Sequence, residues 1–203
     1  DARLMIRRAV LIPAAGASSR MRGRDKLLED VNGIPCLAHM AKAALKSADQ
    51  VIVTLPNADH PRVKSLTGLH VDIMFVPEHA TGMSASLRVA ATAVAADALM
   101  VLPADMPDLA AHLPEMWQAF RGLRAGEILR ATTSQGEAGH PVIFPSNISA
   151  EFQSLTGDIG AAPILQQYAS LVRLYALPHS VACHDLNTPE DWAAWRQKSS
   201  AEE

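Results

Sequence analysis

The sequence predicts a three-layer α/β fold, in which helices cover both faces of a mostly parallel sheet. Short apolar runs alternate with longer segments of helical character along most of the 203 residues, and this alternation is typical of such a fold. The runs are rich in β-branched or bulky residues and end at Pro, Gly or Asp. An apolar content of 49% is enough for one sizeable core, so we expect a single domain over residues 1–203.

The apolar runs and the helical periodicity give a predicted order of elements. The first half contains four predicted strands and three crossover helices; the helices show apolar residues at three-to-four spacing. The second half is looser and contains three predicted strands and two helices. The predicted strands are 9–13, 51–55, 71–76, 98–103, 128–132, 141–145 and 171–177, and the predicted helices are 35–48, 84–96, 108–122, 161–168 and 190–197.

Composition excludes several functional classes. The formal charge of −3 and the pI near 6.2 argue against a general binder of nucleic acid or membrane surfaces, which would carry an excess of basic residues. Cys36 and Cys183 are the two cysteines, and their separation indicates neither a disulfide framework nor a structural zinc site. No stretch approaches the length of a membrane span, and we expect a cytoplasmic protein.

The loop after the first predicted strand combines very small residues with positive charge, in the stretch PAAGASSRMRGRDK (residues 13–26). Small side chains let backbone N–H groups approach an anion closely, and the flanking cations can reach its charge. We interpret the stretch as a phosphate-binding loop rather than a solvated charged loop. Its candidate residues are Ala14, Ala15, Gly16, Ala17, Arg20 and Lys26.

Better-known loops do not fit this stretch. A P-loop requires Gly-Lys-Ser/Thr, and a dinucleotide fingerprint requires G-x-G-x-x-G. The stretch contains only Gly16 and Gly23, in neither arrangement. It also lacks the second glycine of a serine nucleophile elbow. The loop therefore indicates phosphate binding of another kind.

Asp105 follows the fourth predicted strand directly, in LPADMPDL. In an open parallel sheet the ligand lies beyond the carboxyl ends of the strands, where this loop and the first loop meet. A carboxylate there suits Mg²⁺, which one or two carboxylates hold while phosphates and water fill the other positions. Helix capping is the alternative role, and it suits Asp108 better because Asp108 precedes the helical segment.

These motifs together resemble the MobA-like nucleotidyltransferases. The run LIPAAGASSRMRGRDKLL matches their opening signature, and LPADMP, GHPVIFP, LTGDIGA and DLNTPEDW match further blocks, so that the resemblance covers nearly the whole chain. It implies a Rossmann-like fold of the GT-A type. It is strongest to the branch that transfers CMP from CTP to the terminal phosphate of molybdopterin, because Ala15 stands where the guanylyl-transferring branch typically has Gly. A methyl near the base would narrow the space for a purine.

The resemblance also implies roles for individual residues. The small residues 14–17 would contact base, ribose and α-phosphate, while Arg20 and Lys26 would hold the triphosphate and the departing pyrophosphate. Asp105 and Asn187 would hold Mg²⁺. The expected partners are CTP and a molybdopterin-type acceptor, with a molybdoenzyme or its chaperone receiving the product. Nucleotide contacts are further expected at Gly82, Ser84 and Ser86, and acceptor contacts at His140, Asp158 and Gly160.

The chain departs from the family pattern at two places. Arg22 adds one residue between Met21 and Gly23, so we expect a bulge and cannot choose from the sequence among the neighbouring arginines. Relatives also commonly carry Arg after the Gly-Ala of LTGDIGA, where this chain has Ala162 and then Pro163. The adjacent Cys183, His184 and Asp185 do not predict a metal cluster, because neighbouring residues of an extended chain point to opposite faces.

Three alternatives remain at this point. One is a guanylyl-transferring relative, and the second is another small cytidylyltransferase, such as the methylerythritol phosphate enzyme. The third is a non-catalytic nucleotide sensor that keeps the fold. GHPV and TPEDW argue against the second, and retention of Lys26, Asp105 and Asn187 argues against the third.

Overall fold

A computed structural model of the protein describes residues 6–76 and 82–199 and shows a seven-stranded sheet covered by helices on both faces. The sheet order is β5-β4-β1-β6-β8-β7-β9, and β8 is its antiparallel strand, paired with β6 and β7. β2 and β3 form a separate hairpin. The strands are β1 Arg8–Pro13, β2 Asp30–Val31, β3 Ile34–Pro35, β4 Gln50–Leu55, β5 Asp72–Phe75, β6 Ala98–Val101, β7 Ile128–Thr132, β8 Ala138–Pro145 and β9 Val172–Ala176.

The helices divide between the two faces of the sheet. α1, α4 and α7 pack on one face, around a core that includes Val10, Trp117 and Trp192. α3, α5 and α6 pack on the other, around a core that includes Leu11 and Phe152. The helices are α1 Cys36–Ser47, α2 Arg62–Ser65, α3 Met83–Ala91, α4 Leu113–Arg121, α5 Ser146–Ser149, α6 Ala162–Gln167 and α7 Pro189–Ser199.

The central strand β1 shows why the fold follows from the sequence. Successive residues of a strand point to opposite faces, and Ala9 to Ile12 are all fully buried between the two helical layers. A strand buried on both faces must be apolar throughout, as this run is. The three-layer prediction is therefore confirmed, and each predicted strand has a counterpart in the sheet.

The predicted helix 108–122 needs a correction. Residues Pro107–His112 form a 3-10 helix, and the α-helix begins only at Leu113. Asp108 caps neither segment, because its carboxylate accepts hydrogen bonds from Trp195 Nε1 at 2.8 Å and lies 3.1 Å from His184 Nδ1. The predicted helix 84–96 also ends earlier, at Ala91. The β2–β3 hairpin, α2 and α5 had no counterpart in the sequence prediction.

The parallel pairing of β1 with β6 places two loops at one edge of the sheet. Leu11 pairs with Val101, and Leu102 N–H donates to the carbonyl of Leu11 at 2.9 Å. Residues 14–26 and Asp105 therefore leave the sheet side by side, as the sequence predicted. In the described part of the chain, no helix has the length and apolarity needed to cross a membrane.

Candidate active site

The loop after β1 presents backbone N–H groups to a cleft of about 540 Å³. Within the described residues, the N–H groups of Ala15, Gly16 and Ala17 donate to no partner. Ala14 differs, because its N–H donates to the carbonyl of Thr54 at 2.9 Å and is not available to a ligand. The structure therefore limits the predicted anion-binding amides to three of the four small residues.

The sequence argument placed the methyl group of Ala15 beside the base, but this side chain is almost fully buried even though the residue lines the cleft. Ala15 is 4% exposed and packs with Val76 and Ala85 in a small apolar cluster. The methyl group therefore packs against Val76, directly after β5, and against Ala85 on α3. Any effect of this residue on nucleotide choice must act through the position of the loop backbone.

The arginines of the loop point in different directions. Arg22 lies 2.8 Å from Glu190, and Arg24 forms an ion pair with the buried Glu29. Arg20 lines the cleft. Arg22 has φ 53°, and Gly23 has φ +86°, so the chain has two successive left-handed residues where the additional residue stands. The structure thus identifies Arg20 as the arginine of this run that can reach a ligand in the cleft.

Lys26, Asp105 and Asn187 meet at the floor of the cleft. Lys26 Nζ lies 2.5 Å from Asp105 Oδ2 and 2.8 Å from Asn187 Oδ1. Asn187 Nδ2 in turn donates to Asp185. The three residues come from the first loop, the loop after β6 and the segment before α7. Asp105 and Asn187 lie 79 and 161 positions from Lys26 along the chain, and the fold brings the three side chains together.

The oxygens around Lys26 fit a divalent cation together with phosphates. Asp105 and Asn187 direct one carboxylate and one amide oxygen at the same positive group, and Mg²⁺ prefers oxygen donors. No group of three or more His, Cys, Asp or Glu side chains able to hold a metal occurs among residues 6–76 and 82–199. Two protein oxygens leave several positions to be filled, as they would be by phosphates and water.

Ser84 and Ser86 turn their hydroxyl groups into the protein. Ser84 Oγ lies 3.3 Å from the carbonyl of Thr156, and Ser86 Oγ lies 2.9 Å from Thr54 Oγ1. Both serines are buried, and neither caps α3. Ser86 still lines the cleft, whereas Ser84 lines neither the cleft nor the neighbouring cavity.

Asp158 caps α3 from a distant loop. Its Oδ1 accepts the N–H of Met83 at 2.9 Å. Gly82 has φ +83°, and a Cβ at this position would overlap the Asp158 carboxylate. The cap therefore depends on glycine at position 82, and it links the segment before α3 to the loop that carries Asp158.

Replacing Gly82 by alanine is expected to break this link. The added methyl group displaces Asp158, and a side chain at positive φ is itself strained, by about 1 kcal/mol or more. We expect a lower melting temperature and weaker nucleotide binding, measured by calorimetry. Gly126→Ala is the matched control, because Gly126 has φ +88° but open space around its Cβ position. Equal binding losses in the two variants would contradict the role of the Asp158 cap.

A second cavity, of about 550 Å³, adjoins the cleft. Its lining includes His140, Asp158 and Gly160, all predicted acceptor residues, together with Arg130 on β7. Both it and the cleft are lined by Pro13, Met83, Pro103 and Asp158. A ligand in one cavity would therefore approach a ligand in the other at the ends of β1 and β6.

His140 lies in this second cavity as a neutral, poorly solvated side chain. Its Nδ1 is buried and has no hydrogen-bond partner within the described residues. Burial lowers the pKa of His140 below its ordinary value, and the positive charge of Arg130 adds to this shift. The imidazole is therefore neutral at neutral pH, and its buried Nδ1 has unused hydrogen-bonding capacity among the described residues.

The lowered pKa of His140 predicts a pH-dependent stability. Below about pH 6.5 the unfolded chain binds a proton at this histidine before the folded protein does, so stability decreases as the pH falls towards the folded pKa. When the pH is lowered from 7.5 to 5.5, we expect the melting temperature of His140→Gln to fall less than that of the wild type. An equal fall in melting temperature in both proteins would show that His140 is not the titrating group. The other histidines are present in both proteins, so their contributions cancel in the comparison.

Sequence reasoning missed Arg62 and Arg130. Arg62 is 1% exposed and lies beneath the loop after β1, where it contacts Asp25 and the carbonyls of Ala14 and Gly16. In the sequence it stands in the polar stretch NADHPRVK, which has no feature of a site. Arg130 lies within an otherwise apolar strand. A charged residue inside such a strand could have indicated a functional site.

Comparison with known proteins identifies the family of this chain. The family model for the MobA-like NTP transferase domain matches residues 10–172. The molybdenum cofactor guanylyltransferase of Serratia proteamaculans is 28% identical over 195 residues, covering 93% of each chain. A probable molybdenum cofactor guanylyltransferase of Synechococcus elongatus is 31% identical over 202 residues, covering 92% of this chain and 96% of the relative.

Solved structures agree on the fold. The crystal structure of Rv0371c from Mycobacterium tuberculosis H37Rv superimposes with a TM-score of 0.80 at 26% identity, covering 94% of this chain and 98% of that one. The match of the family model spans well over half of the chain and includes the loop after β1 and Asp105. The protein therefore belongs to the family of MobA-like NTP transferase domains.

Proposed function

We propose that the protein transfers CMP from CTP to the terminal phosphate of a molybdopterin-type cofactor and releases pyrophosphate. The observation that carries this proposal is the pair of adjoining cavities. One contains Lys26, Asp105 and Asn187, and the other contains His140 and Arg130. Two such cavities suit a reaction between two bound substrates, whereas a nucleotide sensor needs only one. The product would pass to a molybdoenzyme or its chaperone.

The reaction forms one bond and breaks one at the α-phosphorus of the nucleotide. An oxygen of the acceptor phosphate attacks this phosphorus, and the bond to the oxygen that bridges to the β-phosphorus breaks as pyrophosphate leaves. A phosphate monoester is already anionic at neutral pH, so the barrier lies mainly in charge repulsion and in the charge that builds on pyrophosphate. Positioned cations are therefore the main requirement.

The side chains of the cleft have distinct roles in this proposal. The amides of Ala15, Gly16 and Ala17 and the side chains of Arg20 and Lys26 bind the phosphates. Asp105 and Asn187 would hold Mg²⁺, which would offset the negative charge of the phosphates. In the second cavity, Arg130 would attract the acceptor phosphate and the neutral His140 would contact the pterin.

The identity of the nucleotide distinguishes the proposed CMP transfer from the main alternative, guanylyl transfer. The Ala-Gly pair at residues 15 and 16 favours CTP only through its resemblance to the cytidylyl-transferring branch, whereas the relatives named above are guanylyltransferases. We therefore keep guanylyl transfer as the second candidate. The methylerythritol phosphate enzyme type is a third, less favoured because the match to the MobA-like family extends to residue 172.

A panel of thermal shifts with CTP, GTP, ATP and UTP, each with Mg²⁺, tests the proposal. A nucleotide at 100 times its dissociation constant should stabilise the protein by about 2.7 kcal/mol. We expect the largest shift with CTP, and pyrophosphate release only when molybdopterin is added. A preference for GTP would support the second candidate. Binding without pyrophosphate release would instead indicate a sensor, and no shift with any nucleotide would refute nucleotidyl transfer.

A further inference from the structure

Arg62 uses every donor of its guanidinium group beneath the loop after β1. Its Nε donates to Asp25 Oδ2 at 2.7 Å, and its Nη2 donates to Asp25 Oδ1 at 2.9 Å and to Ser18 Oγ at 3.0 Å. Its Nη1 donates to the carbonyls of Ala14 at 2.5 Å and Gly16 at 2.8 Å. Five N–H groups are available to an arginine, and five hydrogen bonds are formed.

These bonds determine which way the loop amides point. In a planar trans peptide the C=O of one residue and the N–H of the next point in opposite directions. Arg62 draws the carbonyl of Ala14 inward, so the N–H of Ala15 points away from it, and the carbonyl of Gly16 has the same effect on the N–H of Ala17. Both amides lack a partner in the described structure, and both residues line the cleft.

The same guanidinium also supports the position of Lys26. Asp25 binds Arg62 through both oxygens, accepts the N–H of Leu27 at 3.0 Å and caps the 3-10 turn Lys26–Leu28. Burial alone would raise the pKa of Asp25, but the Arg62 guanidinium and the Leu27 amide outweigh it and hold this pKa below its ordinary value. Asp25 thus remains charged, and it connects Arg62 to the turn that begins at Lys26.

We propose that Arg62 is a positioning residue for nucleotide binding, which orients the amides of Ala15 and Ala17 towards the phosphates and holds the turn that carries Lys26. This inference rests on the proposed function. Arg62 itself is 1% exposed and does not line the cleft, so it acts through the loop and not on the ligand. A buried charge is costly unless it is fully paired, and here the pairing also orders the loop.

Arg62→Lys and Asp25→Asn test this role. Lysine keeps the positive charge, but it cannot reach the two carbonyls and both Asp25 oxygens at once. We expect faster amide hydrogen exchange in peptides covering residues 14–27, with little change elsewhere. We also expect an increase of about 10-fold to 100-fold in the dissociation constant for CTP, and a KM for CTP that rises more than kcat falls.

Phe152→Leu provides the matched control, because Phe152 is fully buried in the core on the other face of the sheet. It should lower the melting temperature without changing exchange at residues 14–27 or CTP binding. If Arg62→Lys changes exchange no more locally than Phe152→Leu does, the inference is refuted. The exchange measurement needs no nucleotide, so a wild-type protein that binds none would refute the proposed function but not the orienting role of Arg62 in the loop.

Discussion

Asp105→Ala is expected to abolish Mg²⁺-dependent turnover while leaving metal-free CTP binding intact or tighter. In the structure the Asp105 carboxylate directs an oxygen into the cleft and binds Lys26. Its removal takes a negative charge away from the triphosphate and frees the Lys26 ammonium to bind it. Loss of one positioned catalytic group costs about 10²-fold to 10³-fold in rate, and loss of one of the two proposed metal ligands should cost at least as much of the Mg²⁺-dependent rate. Calorimetry with and without Mg²⁺, beside a pyrophosphate-release assay, measures both effects.

Asp108→Asn is the matched control for Asp105. Asp108 lies three residues further along the chain, but its carboxylate binds Trp195 and His184 and does not line the cleft. This variant should keep nearly the wild-type rate and the wild-type response to Mg²⁺. Near wild-type turnover in Asp105→Ala would show that the metal is held elsewhere.

Lys26→Ala is expected to weaken CTP binding and turnover together. Lys26 would contact the β- and γ-phosphates in both the ground state and the transition state, so part of its contribution is uniform binding and appears in KM. We expect a loss of about 10²-fold to 10³-fold in kcat/KM. Steady-state pyrophosphate release and calorimetry with CTP distinguish this pattern from that of Asp105→Ala.

Arg22→Ala controls for the removal of a cation from the same loop. Arg22 is paired with Glu190 at the surface, so we expect little change in CTP binding. Lys26→Ala with Asp105→Ala completes a double-mutant cycle, and residues in direct contact should give non-additive losses. A Lys26→Ala variant with unchanged CTP affinity would refute the assignment of this lysine to the phosphates.

Much of the fold was predictable from local patterns. Apolar runs such as residues 9–13 and 98–103 became neighbouring parallel strands, and helix 35–48 was predicted to within a residue at each end. A run buried on both faces must be apolar throughout, and a crossover helix must be apolar on one side. Helix boundaries that depend on tertiary contacts were less predictable. The helix predicted to begin at Asp108 begins later, and the Asp108 carboxylate binds Trp195 instead of capping it.

The residues of the candidate site were predictable for a related reason. Both Lys26 and Asp105 follow strands that the sequence identified, and parallel strands end at one edge of a sheet. Their residue types also limit the chemistry, because small residues beside cations indicate phosphate and a carboxylate indicates a hard cation. The sequence by itself thus determined the sheet and the edge at which these residues meet, and it predicted the class of ligand.

Only the tertiary structure decided which atoms face the ligand. It assigned Arg22 and Arg24 to acidic partners and left Arg20 in the cleft, and it buried the methyl group of Ala15. It also placed Arg62 beneath a loop that lies more than 40 residues earlier in the chain. Sequence spacing carries no information about such contacts, because the direction of a side chain depends on packing against elements that are distant along the chain.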